Sequence, residues 1–306
     1  MAFRSERVLL TGGDSFTGRP LVEALRQDGH EVVTVGRHVG EADMAADLLD
    51  PDEIIGVIDQ VKPTAIIHLA AITFAPDQNF HRIYTTNVSG TASLLKGARA
   101  FAGQLNAVIL PSSARVYAPP ISDDPIQEDY LLSPADHYGA SKMAMERVAQ
   151  LFSNELPITI TRPFNYTGPG QAAQFFVPKL VAAYVAGEDV RVGNLHVARD
   201  FSDITTVVEV YRRLVSCPKP GETFNICSGQ PVLLGDIARL LEEITDNRIT
   251  LTVDPSFVRP DEPRVIVGSK RKLEAAIGAL QEPGIRKTLE SMVASASFVA
   301  AESSRP

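Results

Sequence analysis

The stretch VLLTGGDSFTGRPLVEAL, residues 8–25, begins as a short apolar run, turns at a pair of glycines and continues with helical periodicity. A tight strand-to-helix turn needs glycine at its first position, and a later glycine lets the helix pack closely on the strand. Gly12 and Gly18 occupy these positions. Backbone amides at the start of such a helix bind a dinucleotide pyrophosphate, which the helix dipole also favours. The predicted cofactor contacts in this turn are Gly12, Ser15, Phe16, Thr17 and Gly18.

The first half of the chain alternates such apolar runs with segments of helical period. This alternation predicts an α/β fold with a doubly wound parallel sheet of the Rossmann type. The predicted buried strands are 7–10, 31–35, 65–70, 106–110 and 158–162.

The pattern changes after the turn-rich connection at residues 162–171. A helix over 176–186, a short strand from 190, a helix over 200–214 and a strand over 222–227 are predicted, followed by two or three further helices. We therefore expect a smaller, discontinuous α/β substrate-binding domain. The predicted division assigns 1–163 and 199–229 to the dinucleotide-binding domain, and 164–198 and 230–306 to the nucleotide-sugar-binding domain.

Composition excludes several functional classes. The net charge of −8 gives no electrostatic footprint for nucleic acid or an anionic membrane surface. Apolar runs long enough to span a bilayer are absent from the sequence. The two cysteines, Cys217 and Cys227, form no disulfide framework, and the histidines lack metal-ligand spacing. We therefore expect a cytoplasmic protein that holds no metal.

The second predicted strand ends in Gly36, Arg37 and His38. In this architecture an acidic residue at that point binds the adenine-ribose hydroxyls of NAD, whereas an arginine accommodates the 2′-phosphate of NADP. Since a carboxylate is missing there, Arg37 predicts a preference for NADP(H). A solvated surface arginine is the alternative interpretation, and NAD(H) stays open.

A catalytic set is indicated by YGASK, in which Tyr138 and Lys142 lie one helical turn apart. The pKa of a free tyrosine is about 10. A lysine cation at about 4 Å and an effective dielectric near ~20 is worth on the order of 4 kcal/mol, roughly three pKa units. Lys142 is therefore predicted to bring the Tyr138 phenol near physiological pH and to bind the nicotinamide ribose. Ser113 follows the strand 106–110, at the sheet edge where ligands bind, and is predicted to bond a substrate carbonyl.

Together these residues resemble the extended short-chain dehydrogenase/reductase superfamily over nearly the whole chain. The motifs that carry the resemblance are TGGDSFTG at 11–18, HLAA at 68–71, NVSGT at 87–91, PSSARVY at 111–117 and YGASK at 138–142. The resemblance implies an active-site role for Asn87. It also implies cofactor contacts at Asp47, Leu48, Leu69, Ala70, Ala71, Tyr138, Lys142 and Pro163. Ser15 departs from it, because this position usually carries the middle glycine that allows close phosphate approach.

Within that superfamily, sugar 4,6-dehydratases carry an acidic pair directly after the catalytic hydroxyl. Here the pair is Ala114 and Arg115, which disfavours dehydration. The second half resembles GDP-4-keto-6-deoxy-mannose reductases, which implies NADPH-dependent reduction of GDP-4-keto-6-deoxy-D-mannose at C4 to GDP-D-rhamnose. The implied substrate contacts are Thr73, Ser113, Asn165, Val177, Lys179, Arg191, Arg199, Arg259 and Glu262.

Two other functions stay open at this point. One is an NAD-dependent nucleotide-sugar 4-epimerase, which would remove and return a hydride on one retained cofactor. The other is a non-catalytic dinucleotide-sensing protein on the same fold, since fold alone does not determine function. A homodimer built from the helices near Asn87 and Tyr138 is implied by the resemblance alone.

Overall fold

Seven parallel strands form the main sheet in a computed structural model that describes residues 5–38, 40, 42–73, 79–258 and 262–303. The strands over the whole described chain are β1 Arg7–Thr11, β2 Glu31–Gly36, β3 Met44–Ala45, β4 Ala65–His68, β5 Ala107–Pro111, β6 Ile158–Pro163, β7 Asn165–Thr167, β8 Val190–Val192, β9 Ala198–Asp203, β10 Thr223–Ile226, β11 Pro231–Leu233, β12 Leu251–Val253 and β13 Val265–Ile266. The α-helices are α1 Gly18–Gln27, α2 Pro51–Val61, α3 Phe80–Tyr84, α4 Thr91–Arg99, α5 His137–Gln150, α6 Phe176–Ala186, α7 Ile204–Ser216, α8 Leu234–Thr245, α9 Arg271–Ile277 and α10 Ile285–Ser303.

The main sheet has the order β10-β6-β5-β4-β1-β2-β3, and every pairing in it is parallel. The strand order reverses between β1 and β4. In open α/β sheets of this kind, ligands bind in the crevice at the carboxyl ends of the strands where the order reverses. The predicted Rossmann-type α/β fold is confirmed, and the expected ligand crevice lies beside the ends of β1 and β4.

Helices cover both faces of the main sheet. One buried apolar cluster joins α1, α7 and α9 to one face, and a second joins α2, α4 and α5 to the other. Because both faces are covered, the central strands are apolar along their length, as in the fully buried β4 (AIIH). The five predicted strands are all present, since a continuous short apolar run bounded by turns is the signal for a strand of this type.

A smaller set of strands surrounds β9. Strands β7 and β13 pair with β9 in parallel and β11 pairs with it antiparallel, while β8 and β12 form a separate parallel pair. Helices α6, α8 and α10 pack with these strands around a third apolar cluster. β9 therefore belongs to the smaller sheet and β10 to the main one; the division at residues 163, 199 and 229 stays a prediction.

The predicted helix over 200–214 is wrong at its start. Residues 200–203 lie in β9, and α7 begins only at Ile204. Asp203 has extended backbone angles and its carboxylate accepts a hydrogen bond from Thr205 N at 2.8 Å, so it caps α7 rather than extending it. Asp200 is fully buried in β9, where its carboxylate accepts from the amides of Ser228, Gly229 and Gly268.

Among the described residues, α10 is the longest helix, and neither it nor any other combines the length and the apolar character needed to cross a bilayer.

Candidate active site

The glycine turn lies against the loop that follows β4, at the point where the strand order reverses. Gly12 has a φ of +72°, and a Cβ atom there would lie 2.8 Å from Ala70 N. Thr11 connects the two segments, because its carbonyl oxygen accepts from Leu69 N at 3.1 Å and its hydroxyl accepts from Ala70 N at 3.2 Å. The structure therefore brings the predicted residues Gly12, Leu69 and Ala70 together at one edge of the sheet.

Gly18 begins α1 directly above the turn. A Cβ atom at this position would collide with Gly12 O and lie 2.8 Å from the carbonyl carbon of Gly13. Since both obstacles are backbone, we expect Gly18→Ala to disrupt the turn and to weaken NADPH binding at least tenfold in a fluorescence titration. Gly56 in α2 is the matched control, because a Cβ there meets nothing within 4 Å. Equal NADPH affinity in the two alanine variants would contradict the role of the turn.

Ser15, which replaces the usual middle glycine, closes the turn internally. Its hydroxyl accepts a hydrogen bond from Gly18 N at 3.0 Å, so one amide at the start of α1 is already satisfied. Phe16 stacks on Tyr166, with ring centroids 5.9 Å apart. Thr17 Oγ1 lies 3.0 Å from the hydroxyl of Tyr166. Tyr166, which follows Asn165 in β7, thus connects the glycine turn with the segment after β6, a contact that sequence reasoning missed.

Arg37 is exposed directly after β2, and no ion pair to it occurs within the described part of the chain. The nearby carboxylate of Asp43 is engaged, since it accepts from Thr34 N and Thr34 Oγ1 and pairs with Arg26 at 3.1 Å. Asp47 is exposed and accepts from Leu49 N, while Leu48 is partly buried and packs near Gly90. The end of β2 therefore presents an exposed guanidinium, while the Asp43 carboxylate beside it is bound by Thr34 and Arg26.

The predicted catalytic hydroxyls lie together at the carboxyl end of the sheet. Ser113 follows β5 in extended conformation, and its hydroxyl accepts from Arg115 N at 3.2 Å. Tyr138 lies in the first turn of α5, close enough to Ser113 for that hydroxyl to lower the pKa of the Tyr138 phenol. Both side chains are nearly buried, at 8% and 7% exposure. A carbonyl group placed beside this pair would meet two hydroxyl donors shielded from bulk water.

The expectation that Lys142 brings the Tyr138 phenol near physiological pH is wrong. Burial raises the pKa of Tyr138 above its ordinary value, and the neighbouring Tyr166 raises it further. The groups that oppose this most are the Ser113 hydroxyl and the Arg115 guanidinium rather than Lys142. Tyr138 is therefore a neutral phenol at physiological pH.

Lys142 is buried one turn below Tyr138, and its Nζ donates to the carbonyl oxygen of Pro111 at 2.8 Å. Burial lowers the pKa of Lys142 to about 8, against the opposing charge of Glu146. The ammonium group is thus held at the end of β5, one residue before the strand runs into Ser112 and Ser113. Its proton is lost as the pH rises through about 8.

Asn87 lies in a π-helical segment, Thr85–Gly90, between α3 and α4. Its amide is fully used: Oδ1 accepts from Ile72 N at 2.8 Å, and Nδ2 donates to Ile72 O and to Ser141 Oγ. Ser141 belongs to α5, so Asn87 joins the loop after β4 to the helix that carries Tyr138. The extra residue of a π-helical turn is often found at functional sites.

His68 continues this network toward the glycine turn. Its ring nitrogens lie 2.7 Å from Thr11 Oγ1 and 3.1 Å from Thr91 Oγ1, and Thr91 in turn donates to Asn87 O. Burial, together with the charge of Lys142, lowers the pKa of His68 to about 3. The imidazole is therefore neutral at physiological pH and serves as a link in the network.

Four of the predicted substrate contacts that the structure describes have charged side chains and form two groups. Lys179 lies over the ring of Phe257 and donates to the carbonyl oxygen of Arg191, whose own guanidinium is 75% exposed beside Asp254. Arg199 and Glu262 pair with each other at 2.6 Å, both largely buried. The carboxylate expected to bind a ribose diol and the arginine expected to bind a diphosphate thus form one ion pair.

The other predicted positions are scattered around the crevice. Asn165 is exposed and donates to Asp200 O, Thr73 is exposed at the end of the loop after β4, Ala71 lies within that loop, and Pro163 is buried at the end of β6. Val177 packs in the apolar cluster of the smaller sheet, so its side chain is part of that core. Arg259 lies outside the described residues.

Comparison with known proteins identifies the family of this chain. Residues 8–227 match the NAD dependent epimerase/dehydratase family. The chain is 34% identical over 294 residues to GDP-6-deoxy-D-talose 4-dehydrogenase of Aggregatibacter actinomycetemcomitans, covering 94% of this chain and 96% of that protein. It is 31% identical over 260 residues to GDP-6-deoxy-D-mannose reductase of Pseudomonas aeruginosa, covering 81% and 84%.

A solved structure agrees with these matches. RMD from Pseudomonas aeruginosa, complexed with NADPH, superposes with a TM-score of 0.86 at 28% identity, covering 96% of this chain and all of that one. The predicted resemblance and the predicted NAD(P)-dependent enzyme class are both confirmed. The chain belongs to the NAD dependent epimerase/dehydratase family of the extended short-chain dehydrogenases/reductases.

Proposed function

We propose that the protein is an NADPH-dependent reductase of the C4 keto group of a GDP-linked 4-keto-6-deoxy sugar, converting GDP-4-keto-6-deoxy-D-mannose to GDP-D-rhamnose. The observation that carries the proposal is the buried pair of Ser113 and Tyr138 beside the glycine turn. The described residues fit a dinucleotide there, since Gly12 and Gly18 allow the tight strand-to-helix turn whose backbone amides bind a pyrophosphate in this fold. A reduced nicotinamide, when bound, supplies the hydride for C4.

Three side chains assist the reduction. Tyr138 donates its proton to the carbonyl oxygen, and Ser113 polarises that oxygen by a second hydrogen bond. Ser113 Oγ accepts from Arg115 N, and its own hydroxyl proton remains a donor for the substrate oxygen. Lys142 contributes positive charge below the phenol and a donor for the nicotinamide ribose.

The protonation state of Tyr138 supports reduction over oxidation. A reductase begins its cycle with a proton to give to the developing alkoxide, whereas an epimerase or a dehydrogenase begins with a base that takes one. Burial raises the pKa of Tyr138, so the proton is present at the start of the reductive direction. The second candidate function is an NAD-dependent 4-epimerase, which is supported by the match of residues 8–227 to a family of epimerases and dehydratases.

The GDP sugar is supported by the two relatives named above, which act on GDP-linked 6-deoxyhexoses. D-rhamnose is 6-deoxy-D-mannose, and 6-deoxy-D-talose differs from it only at C4. Reduction of the same 4-keto sugar at C4 therefore gives one product or the other. Lys179, Arg191 and Arg199 supply cationic groups suited to a diphosphate.

A cofactor preference follows from Arg37. Its exposed guanidinium, and the binding of the nearby Asp43 carboxylate to Thr34 and Arg26, favour the 2′-phosphate of NADPH. We expect Arg37→Asp to lower kcat/KM with NADPH about 10- to 100-fold and to leave that with NADH unchanged or improved, because one charge-assisted contact is replaced by repulsion. An unaltered ratio of the two kcat/KM values would show that Arg37 is a surface residue without this role.

A pH dependence follows from Lys142. A lysine is charged below its pKa, so the ammonium group is present in acid and lost as the pH rises through about 8. We expect kcat to fall across that range, and the fall to move to higher pH in Lys142→Arg, whose guanidinium stays protonated. A wild-type profile that stays flat through this range would contradict the assignment.

The assembly and location are also proposals. The stacking of Phe80 on His137, with Phe80 57% exposed, supports a homodimer through α3 and α5. Light scattering that gives a monomer mass would exclude it. The two free thiols, Cys217 and Cys227, suit the reducing cytoplasm. Fractionation of cells that finds the protein elsewhere would exclude that location.

The proposed reaction is tested by following NADPH oxidation with GDP-4-keto-6-deoxy-D-mannose, generated in place by a dehydratase. The dTDP-linked keto sugar is run in parallel as the matched control. We expect rapid oxidation with the GDP sugar and little with the dTDP sugar. Oxidation with neither sugar, or protein purified with firmly bound NAD, would transfer the assignment to the epimerase.

A further inference from the structure

Arg115 reaches from the turn after β5 to the start of α5. Its Nε donates to Asp136 Oδ2 at 2.9 Å, and its terminal nitrogen bonds the same oxygen. The other carboxylate oxygen of Asp136 accepts from Gly139 N at 2.8 Å, which makes Asp136 the N-cap of α5. One carboxylate therefore caps the helix that carries Tyr138 and also holds Arg115.

The backbone of Arg115 joins the same two segments. Its amide donates to Ser113 Oγ at 3.2 Å, which fixes the orientation of that hydroxyl. Its carbonyl oxygen lies against Gly139, where a Cβ atom would collide with it and would lie 2.9 Å from Pro134 Cβ. Ser113 and the first turn of α5 are thus both anchored on Arg115, through its backbone and through its side chain.

The ion pair also lies within electrostatic reach of the phenol. The Arg115 guanidinium lowers the pKa of Tyr138 and the Asp136 carboxylate raises it, so the two charges act in opposite directions there. The side chains of the pair are 37% and 26% exposed. Exposed ion pairs of this kind contribute little to global stability, typically under about 1 kcal/mol. The main effect of the pair is therefore expected in the geometry of the site.

We propose that Arg115 is a positioning residue, which holds the Tyr138 hydroxyl in register with Ser113 by pairing with Asp136 at the start of α5. The proposal rests on the proposed function. It assigns a use to the position where 4,6-dehydratases place an acid. It also makes the spacing of the two hydroxyls depend on a residue that carries neither of them.

The test compares Arg115→Ala, Arg115→Lys and Asp136→Asn, together with the double variant Arg115→Ala/Asp136→Asn. Asparagine is as good an N-cap as aspartate, so Asp136→Asn keeps the cap and removes only the charge. Arg147→Ala, an exposed arginine on the same helix that bonds Gln150, is the matched control. Steady-state kinetics, NADPH affinity and Tm are measured for each, with hydrogen exchange of the amides in the first turns of α5.

We expect Arg115→Ala and Asp136→Asn each to lower kcat about 10- to 100-fold, since small displacements of reacting groups cost this much. The KM for the keto sugar, the NADPH affinity and the Tm should change little, and exchange at the start of α5 should accelerate. Arg115→Ala and Asp136→Asn both break the same ion pair. The kcat of the double variant should therefore be no lower than that of either single variant. Arg115→Lys should recover part of kcat, because lysine keeps the charge without the guanidinium fork.

Two results would overturn the proposal. One is a kcat in Arg115→Ala within about twofold of the Arg147→Ala control. The other is a loss of kcat that runs parallel to losses of Tm and NADPH affinity, which would mark a merely structural residue. Wild-type protein that does not oxidise NADPH in the presence of the keto sugar would refute the proposed function. The exchange measurement needs no substrate and would then decide: unchanged exchange at the start of α5 in Arg115→Ala overturns the positioning role, and faster exchange supports it.

Discussion

Tyr138→Phe should lower kcat about 100- to 10,000-fold, the contribution typical of a positioned general acid. Phenylalanine keeps the ring and its packing but removes the proton that Tyr138 donates to the carbonyl oxygen. It also removes the phenol oxygen that lies near the Ser113 hydroxyl. NADPH binding should persist, because the glycine turn and Arg37 are untouched.

Tyr130→Phe is the matched control for this prediction. It makes the same chemical change in a partly buried tyrosine that packs edge-on against Tyr117, with ring centroids 6.3 Å apart. We expect its kcat to stay near the wild-type value. If Tyr138→Phe turned over keto sugar as fast as Tyr130→Phe does, proton donation by Tyr138 would be excluded.

Arg162→Met should lower the free energy of unfolding by about 3–5 kcal/mol. Arg162, in β6, makes two bonds to the Glu146 carboxylate at 3.0 and 2.7 Å and donates to the hydroxyl of Tyr117 and to Glu128 O. Its side chain and that of Glu146 are 7% and 4% exposed. Removing the guanidinium leaves a buried carboxylate without its cation. A urea unfolding titration measures the loss.

Two further variants make this second prediction specific. Arg162→Met/Glu146→Met removes both charges and should recover most of the lost stability, since an apolar pair of similar volume carries no desolvation cost. Arg99→Met breaks the half-exposed pair with Glu155, 3.7 Å apart, and should cost under about 1 kcal/mol. A loss in Arg162→Met no larger than that in Arg99→Met would show that the buried pair does not stabilise the fold.

The features that sequence reasoning predicted best are those encoded over a few neighbouring residues. The glycine turn depends on the spacing of Gly12 and Gly18, and the strands of the main sheet on short apolar runs. The relation of Tyr138 to Lys142 depends on one helical turn. Each of these is a local pattern, so the fold and the outline of the site were both accessible before the structure.

Features that depend on partners distant in sequence were missed or misjudged. Residues 200–203 have a helical-looking pattern, but Asp200 is bound by amides some 28 to 68 residues away and lies in β9. Arg199 and Glu262 stay predicted substrate contacts, but their pairing with each other across 63 residues was missed. The pKa of Tyr138 was misjudged because burial, which the sequence does not display, outweighs the nearby charge.

Transfer of deuterium from NADPH labelled at the nicotinamide C4 tests the central claim most directly. We expect the purified protein to convert the GDP-linked 4-keto-6-deoxy sugar to a product with one deuterium at C4, and to form one NADP⁺ for each molecule of product. NMR of that product also gives its C4 configuration, D-rhamnose as proposed or 6-deoxy-D-talose. A sugar product without deuterium, or an inverted sugar formed without net oxidation of NADPH, would contradict the reductase assignment.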